Sequence, residues 1–275
     1  RTLMEALSTA VLLGLVEGLT EFLPVSSTGH LILAGEALGF SGPKAATFEI
    51  AIQFGAILAV LCLYRERFLG LLRPAPEKNP RAFAGLRGIG LLLLTTLPGA
   101  VMGLLAGDFI KNHLFTPASV ASALLAGALL MLLVEWRNAC SLRTSRCNSL
   151  DELTPVLALG IGCCQCMALW PGFSRSASTI MGGMLLGMRR ETAAEYSFLA
   201  AVPLITGAVG YDLLKSLSLF NPADLPFFAV GSLFAFLSAM IAIKAFITLL
   251  GKITLRPFAI YRIFLVIPVY WFMLH

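Results

Sequence analysis

The hydrophobic pattern of this chain is of two kinds. Segments near residues 45–64, 88–106, 118–136, 192–214, 225–244 and 257–274 are apolar over about 20 positions, the length of helix that crosses the hydrocarbon core of a bilayer. Each is bounded by charge, Pro or Gly; Pro117 precedes the third and Pro257 opens the last. Two further hydrophobic stretches are interrupted. Residues 4–40 break at Pro24, and residues 155–188 break at Pro171-Gly172. Each predicts two shorter helices joined by a polar turn, folded as a re-entrant hairpin that enters and leaves the membrane on one side. The predicted fold is an all-α polytopic membrane protein, with six transmembrane helices plus two re-entrant helical hairpins in a single integral-membrane domain spanning residues 1–275.

Charge orients this path. Arg65, Arg67, Arg73, Lys78, Arg81 and Arg87 lie in one loop, Arg137, Arg143 and Arg146 in a second, Arg189 and Arg190 in a third, and Lys244, Lys252 and Arg256 in a fourth. Retention of positive loops on the cytoplasmic side puts all four inside. Only Arg1, Lys44, Lys111 and Lys215 then fall outside, and Arg175 and Arg262 are left within the membrane. The first hairpin dips from the outside, the second from the cytoplasm, and both termini are outside. Treating either hairpin as a full span would reverse the later loops.

Composition agrees: 58% of residues are hydrophobic, 13% are charged and the mean hydropathy is +0.86, which excludes an ordinary soluble domain. The net charge of +5 is topological bookkeeping and no sign of nucleic-acid binding. No cleavable signal is expected in the first apolar run, since Glu17 and Glu21 stand where a small-residue cleavage site belongs. Cys163-Cys164-Gln165-Cys166 fits no zinc spacing and is read as small packing residues.

The two halves resemble each other. At a shift of 148 positions Gly14 falls on Gly162, Glu17 on Gln165, Ser26 on Ser174, Thr28 on Ser176, Gly35 on Gly183 and Gly39 on Gly187. With hairpins entering from opposite sides, this is an inverted-topology repeat, about 1–136 and 154–275. Such folds place their sites at the midplane, where broken helices meet.

Two polar knots interrupt the apolar chain: Glu17-Gly-Leu-Thr-Glu21-Phe-Leu-Pro-Val-Ser26-Ser27-Thr28-Gly-His30 and Pro171-Gly-Phe-Ser174-Arg175-Ser176-Ala-Ser178-Thr179. Ionisable groups in a membrane are costly unless paired or wet, so such clusters read as functional. Glu17 and Glu21, spaced i and i+4, share a helix face and suit Mg²⁺ or Ca²⁺; bridging to a basic group is the structural alternative. Each Pro break restarts a helix whose N-terminus offers free amides and a partial positive charge to an anion. The Arg175 guanidinium suits phosphate bidentately or pairs with Glu17 or Glu21. Ser26, Thr28, Ser174, Ser176 and Thr179 make a candidate oxyanion cradle, and His30 is a candidate nucleophile, base or acid. Glu49, Gln53 and Glu195 are candidate supports, and Arg262 a candidate anchor for the last helix near the cytoplasmic surface.

Both knots closely resemble the signatures of the BacA-type undecaprenyl-diphosphate phosphatases, bacterial inner-membrane enzymes that recycle the lipid carrier of cell-wall synthesis. Thr47-Phe-Glu-Ile-Ala-Ile-Gln-Phe-Gly55 and Pro257-Phe-Ala-Ile-Tyr-Arg262 fit as well, so the resemblance covers nearly the whole chain. It implies hydrolysis of undecaprenyl diphosphate to undecaprenyl phosphate and inorganic phosphate, a divalent cation, a site open to the periplasm and bacitracin resistance. By position, Glu17 and Glu21 match the acidic motif, Arg175 the phosphate-binding Arg, and Ser27 and His30 the residues with nucleophilic and acid–base roles. In the expected mechanism Ser27 attacks and His30 takes its proton; attack by His30 or by water stays open. The competing class is a prenyl-phosphate flippase or secondary transporter using the same midplane anion site. Phosphate release by purified protein separates the two. The oligomeric state, a homodimer included, is left open.

Overall fold

The computed structural model describes residues 3–40, 42–140, 145–215 and 224–274. Arg1, Arg143 and His275 lie outside the described residues, as does the side chain of Lys44. The helices in chain order are α1 (Leu3–Thr20), α2 (Ser27–Ala37), α3 (Pro43–Leu63), α4 (Arg65–Leu71), α5 (Gly85–His113) and α6 (Pro117–Cys140). They continue with α7 (Pro155–Gln165), α8 (Arg175–Leu185), α9 (Arg190–Lys215), α10 (Leu225–Leu250) and α11 (Arg256–Leu274). Short 3-10 turns cover Leu150–Glu152 and Cys166–Leu169.

Among the described residues, α3, α5, α6, α9 and α10 are long and apolar enough to cross a membrane. The chain is therefore a multi-pass membrane protein. The last expected span is the helix α11, 19 residues long, whose apolar run is interrupted by Arg262. Pro98, Pro203 and Pro268 lie inside α5, α9 and α11. Both interrupted stretches break where Pro24 and Pro171-Gly172 predict. The halves are unequal, however. α2, α7 and α8 have 11 residues each, whereas α1 has 18 and reaches about 27 Å at 1.5 Å per residue.

Packing runs crosswise between the halves. α1 lies along α10 and α7 along α5; α2 packs on α11 and α8 on α6; α3 meets α9, and α6 meets α11. Each broken pair is thus clasped by helices of the other half. The α1–α10 seam explains how closely they approach. Gly14 and Gly18, four residues apart, face Gly231, Ala235, Ser238 and Ala239, and a Cβ on either glycine would collide with α10 backbone. Lipid provides no hydrophobic drive between helices, so small residues that let backbones meet supply the association.

Polar contacts gather at the two ends. At one end Arg87 donates to the backbone oxygens of Asp151 and Leu153, and Asn79 donates to Asp151. Arg67 pairs with Glu195 at 3.2 Å. Buried Glu135 accepts from Arg190 at 2.7 Å and from the amide of Leu255 at 2.8 Å. The mouth of the second broken pair is here, with the Arg146 amide bonded to the Gly187 oxygen at 3.0 Å. At the other end Lys111 pairs with Asp212 at 3.7 Å, and the Phe40 ring, at the mouth of the first pair, lies 5.4 Å from Phe227 at the start of α10. Glu195 is accordingly no support for the central knots: its partner Arg67 holds it at the loop end of the bundle.

Candidate active site

The site begins with two strained serines. Among the described residues, Ser26 (φ 71°) and Ser174 (φ 81°) are the non-glycine positions with positive φ, and they are 148 residues apart, each at the start of the second helix of its pair. Such backbone costs about 1–3 kcal/mol and persists where surroundings impose it, most often at functional sites. Each serine caps its helix: Ser26 Oγ accepts from the Gly29 amide at 3.3 Å, and Ser174 Oγ from the Ala177 amide at 3.2 Å. Gly39 and Gly187, also 148 apart, both take positive φ where those helices end.

The two helix starts border one cavity of about 170 Å³, lined by Ser26, Ser27 and Thr28 from α2, by Gly172, Ser174 and Arg175 leading into α8, and by Glu21, Gln53, Ala168 and Ile205. It is large enough for a hydrated anion, since a single water occupies about 10–15 Å³ on this measure. At its centre Ser27 Oγ donates to Glu21 Oε2 at 2.7 Å, and Arg175 Nη2 donates to Glu21 Oε1 at 3.2 Å. Arg175 Nη1 is held by the Ser197 carbonyl at 3.0 Å and hydroxyl at 3.1 Å, and its guanidinium lies 5.7 Å from the Phe22 ring centroid. Arg175 Nε has no partner although it is buried. Glu21, Ser27 and Arg175 are thus brought together with the cradle residues Ser26, Thr28 and Ser174.

Four expected residues stand apart from the cavity lining. Ser176 and Thr179 are fully buried: Ser176 Oγ donates to the Leu23 oxygen at 2.8 Å, tying the two knots, and Thr179 Oγ1 bonds Ser197 Oγ at 2.7 Å. Thr179 thus supports the Ser197 hydroxyl that holds Arg175, while Ser176 joins one turn to the other. Glu17 is completely buried beside Gly18, and neither of its carboxylate oxygens has a partner. Both ring nitrogens of His30 have partners other than Ser27. Its Nδ1 donates to the Ser26 carbonyl at 2.7 Å, leaving Nε2 to accept from Tyr261 Oη at 2.7 Å, with the rings stacked at 5.6 Å. The hydrogen bond of the Ser27 hydroxyl thus goes to Glu21, where the sequence pattern paired it with His30.

Arg262 is also placed differently from expectation. It lies fully buried between the knots, and among the described residues no acid pairs with it. Its three nitrogens donate to the backbone oxygens of Leu124, Ala123, Pro24, Gly172 and Phe173, at 2.8–3.4 Å. It thereby stitches both turns to α6. Ser197, Tyr261 and this role of Arg262 were missed because each acts on a group far away in sequence. Gln53, expected as a support, lines the cavity itself; Glu49 does not.

Among the described residues, no three His, Cys, Asp or Glu side chains gather as a cage for a metal ion. The orphaned oxygens of Glu17, one turn from Glu21, nevertheless suit a hard cation. Mg²⁺ in particular is commonly held by one or two carboxylates and completed by substrate phosphate.

Fold and site together define a polytopic membrane protein with a polar cavity between two broken helical pairs, in which a serine hydroxyl donates to a carboxylate. A family model described as "Bacitracin resistance protein BacA" matches residues 10–267. An undecaprenyl-diphosphatase of Nitratidesulfovibrio vulgaris (strain DP4) is 66% identical over 270 residues, covering 98% of this chain and 99% of its own. Proteins of the same name from Desulfovibrio desulfuricans and Lawsonia intracellularis are 59% and 56% identical, covering 99% and 98% of this chain and 100% and 98% of their own. The chain belongs to the BacA family.

Proposed function

We propose that this protein is an undecaprenyl-diphosphatase, hydrolysing undecaprenyl diphosphate to undecaprenyl phosphate and inorganic phosphate, so that the carrier lipid returns to cell-wall synthesis and bacitracin loses its target. The observation that carries this reading is the Ser27–Glu21–Arg175 chain at the convergence of two helix N-termini. The terminal phosphate sits against the amides starting α2 and α8, where partial positive charge favours it. Arg175, fixed by Ser197 and Glu21, stabilises charge on the equatorial oxygens. Ser27 Oγ attacks phosphorus while its proton passes to Glu21 Oε2; the bond from phosphorus to the bridging oxygen breaks, and undecaprenyl phosphate leaves. Glu21 gives that proton up to the departing phosphate; water then attacks phosphorus as Glu21 takes its proton, the bond from phosphorus to Ser27 Oγ breaks, and Glu21 returns the proton to Ser27 as inorganic phosphate leaves. His30 holds the turn through the Ser26 carbonyl and is itself oriented by Tyr261.

Glu17 and Glu21 would hold the divalent cation, which neutralises phosphate charge when bound. Six spans with two re-entrant pairs, an inverted repeat, outer termini and a periplasmic opening complete the proposal. They are supported by the positive-inside count, by the 11-residue helices and by the opposite ends at which the two mouths lie. Purified protein with Mg²⁺ is expected to release phosphate from undecaprenyl diphosphate, and a rapid quench to trap phosphate on Ser27. No phosphate release would sink the reading; release with no phosphoserine would transfer attack to a water activated by Glu21.

A further inference from the structure

The phosphate cavity accommodates only the head of such a lipid. On two helices its wall ends at Gln53 of α3 and Ile205 of α9. The next residues along, Phe54 and Thr206, line a second cavity of about 350 Å³, bounded also by Ala51, Gly210, Leu213 and Phe228. The second cavity lies between the same two helices as the first, with α10 as its third wall, and it runs from mid-helix toward the end of the bundle where Phe40 meets Phe227. Its surface is carbon-rich: Phe54 is 42% exposed, and the hydroxyl of nearby Ser232 is turned onto the Ala51 carbonyl. α9 is bare on this side. A Cβ built on Gly210 would meet no atom within 4 Å, so the space is open to an external chain and is not closed by the protein's own side chains.

We infer that the groove between α3, α9 and α10 receives the first isoprene units of the substrate's polyprenyl tail, and so sets the preference for long-chain prenyl diphosphates; this rests on the diphosphatase reading. A prenyl chain is a flexible hydrocarbon with flat alkene segments and methyl branches. An open, apolar channel with an aromatic wall matches it, while the diphosphate remains between the helix starts. A neighbouring apolar cavity, lined by Phe68, Ile89, Leu92, Pro203 and Thr206, lies against α4, α5 and α9; it meets the groove at Thr206 but has no wall on α3, the helix that carries Gln53 of the phosphate site. Binding energy from the tail, remote from the reacting phosphorus, holds the head in place.

The test compares undecaprenyl diphosphate with dimethylallyl diphosphate, which carries one prenyl unit, on the full chain purified in detergent. Gly210→Leu extends a side chain into the groove from a position whose Cβ meets no atom within 4 Å. The ratio of kcat/KM for the long over the short substrate is expected to fall about tenfold or more, through KM for the long one. Phe54→Ala, which removes the aromatic wall, is expected to lower the same ratio by a smaller factor. Ile89→Trp, in the neighbouring cavity, serves as the contrast. An unchanged ratio in both Gly210→Leu and Phe54→Ala, or a fall produced by Ile89→Trp instead, overturns the proposal. Failure of the diphosphatase reading itself looks different: the unaltered protein then releases phosphate from neither substrate.

Discussion

Ser27 Oγ lies 2.7 Å from Glu21, while both ring nitrogens of His30 are already engaged, one by the Ser26 carbonyl and one by Tyr261. This division of labour separates three residues that look equivalent in a motif. Glu21→Gln keeps shape but removes the proton acceptor, so turnover is expected to fall by about 10²–10⁴. His30→Asn retains an amide donor near the Nδ1 position and is expected to keep far more activity than His30→Ala. If His30→Asn is as inactive as Glu21→Gln in the same phosphate-release assay, the imidazole moves protons and its assignment here is wrong. Arg175→Lys keeps the charge but cannot hold Ser197 and Glu21 together as the guanidinium fork does. A loss of about 10²-fold in kcat is expected, with the protein still folded by gel filtration in detergent. Near-normal turnover would make Arg175 structural. At this scale the sequence is legible where a charge interrupts an apolar run, as at Glu21 and Arg175. It is opaque where a group is spent on backbone: Arg262 serves five carbonyls, and carbonyls carry no side-chain signal.

Helix breaks were readable because Pro24 and Pro171-Gly172 are chemical punctuation. Helix partners were not. Gly14 and Gly18 announce a close approach without naming α10, whose small residues lie more than 200 positions away. The seam predicts a contrast between glycines of the same protein. Gly14→Val drives side-chain atoms into the Gly231 backbone and is expected to lower the thermal unfolding midpoint in detergent markedly, with loss of activity because α1 carries Glu17 and Glu21. Gly107→Ala, on α5, meets nothing within 4 Å and is expected to be neutral, or to stabilise by about 0.5–1 kcal/mol through reduced backbone freedom. Equal effects of the two substitutions would mean that the seam does not govern stability. Gly127 on α6 belongs to the same logic. A Cβ there would occupy the place of the Arg262 guanidinium, so this glycine admits the stitch between both turns.

Across the whole molecule, the loops that charge assigns to one side of the membrane are the ones that touch. Segment 65–87 meets Asp151 and Glu195, segment 145–149 meets Gly187 and Thr192, and Glu135 joins Arg190 to Leu255. At the far end Lys111 meets Asp212, both at helix ends assigned to the outside. The charge count and the packing fit one orientation, with the two broken pairs opening at opposite ends. Four cysteine probes, each placed singly in a chain with the six native cysteines replaced, test it. Lys78→Cys, in the loop bonded to Asp151, is expected to resist a membrane-impermeant maleimide in intact spheroplasts and to react after lysis. Lys111→Cys is expected to react before lysis. Arg146→Cys at the mouth of the second pair should follow Lys78→Cys, and Glu36→Cys near the mouth of the first should follow Lys111→Cys. If both mouths respond alike, the pairs enter from one side. The cavity between Ser27 and Arg175 would then need a different account of how helices from the two halves meet there.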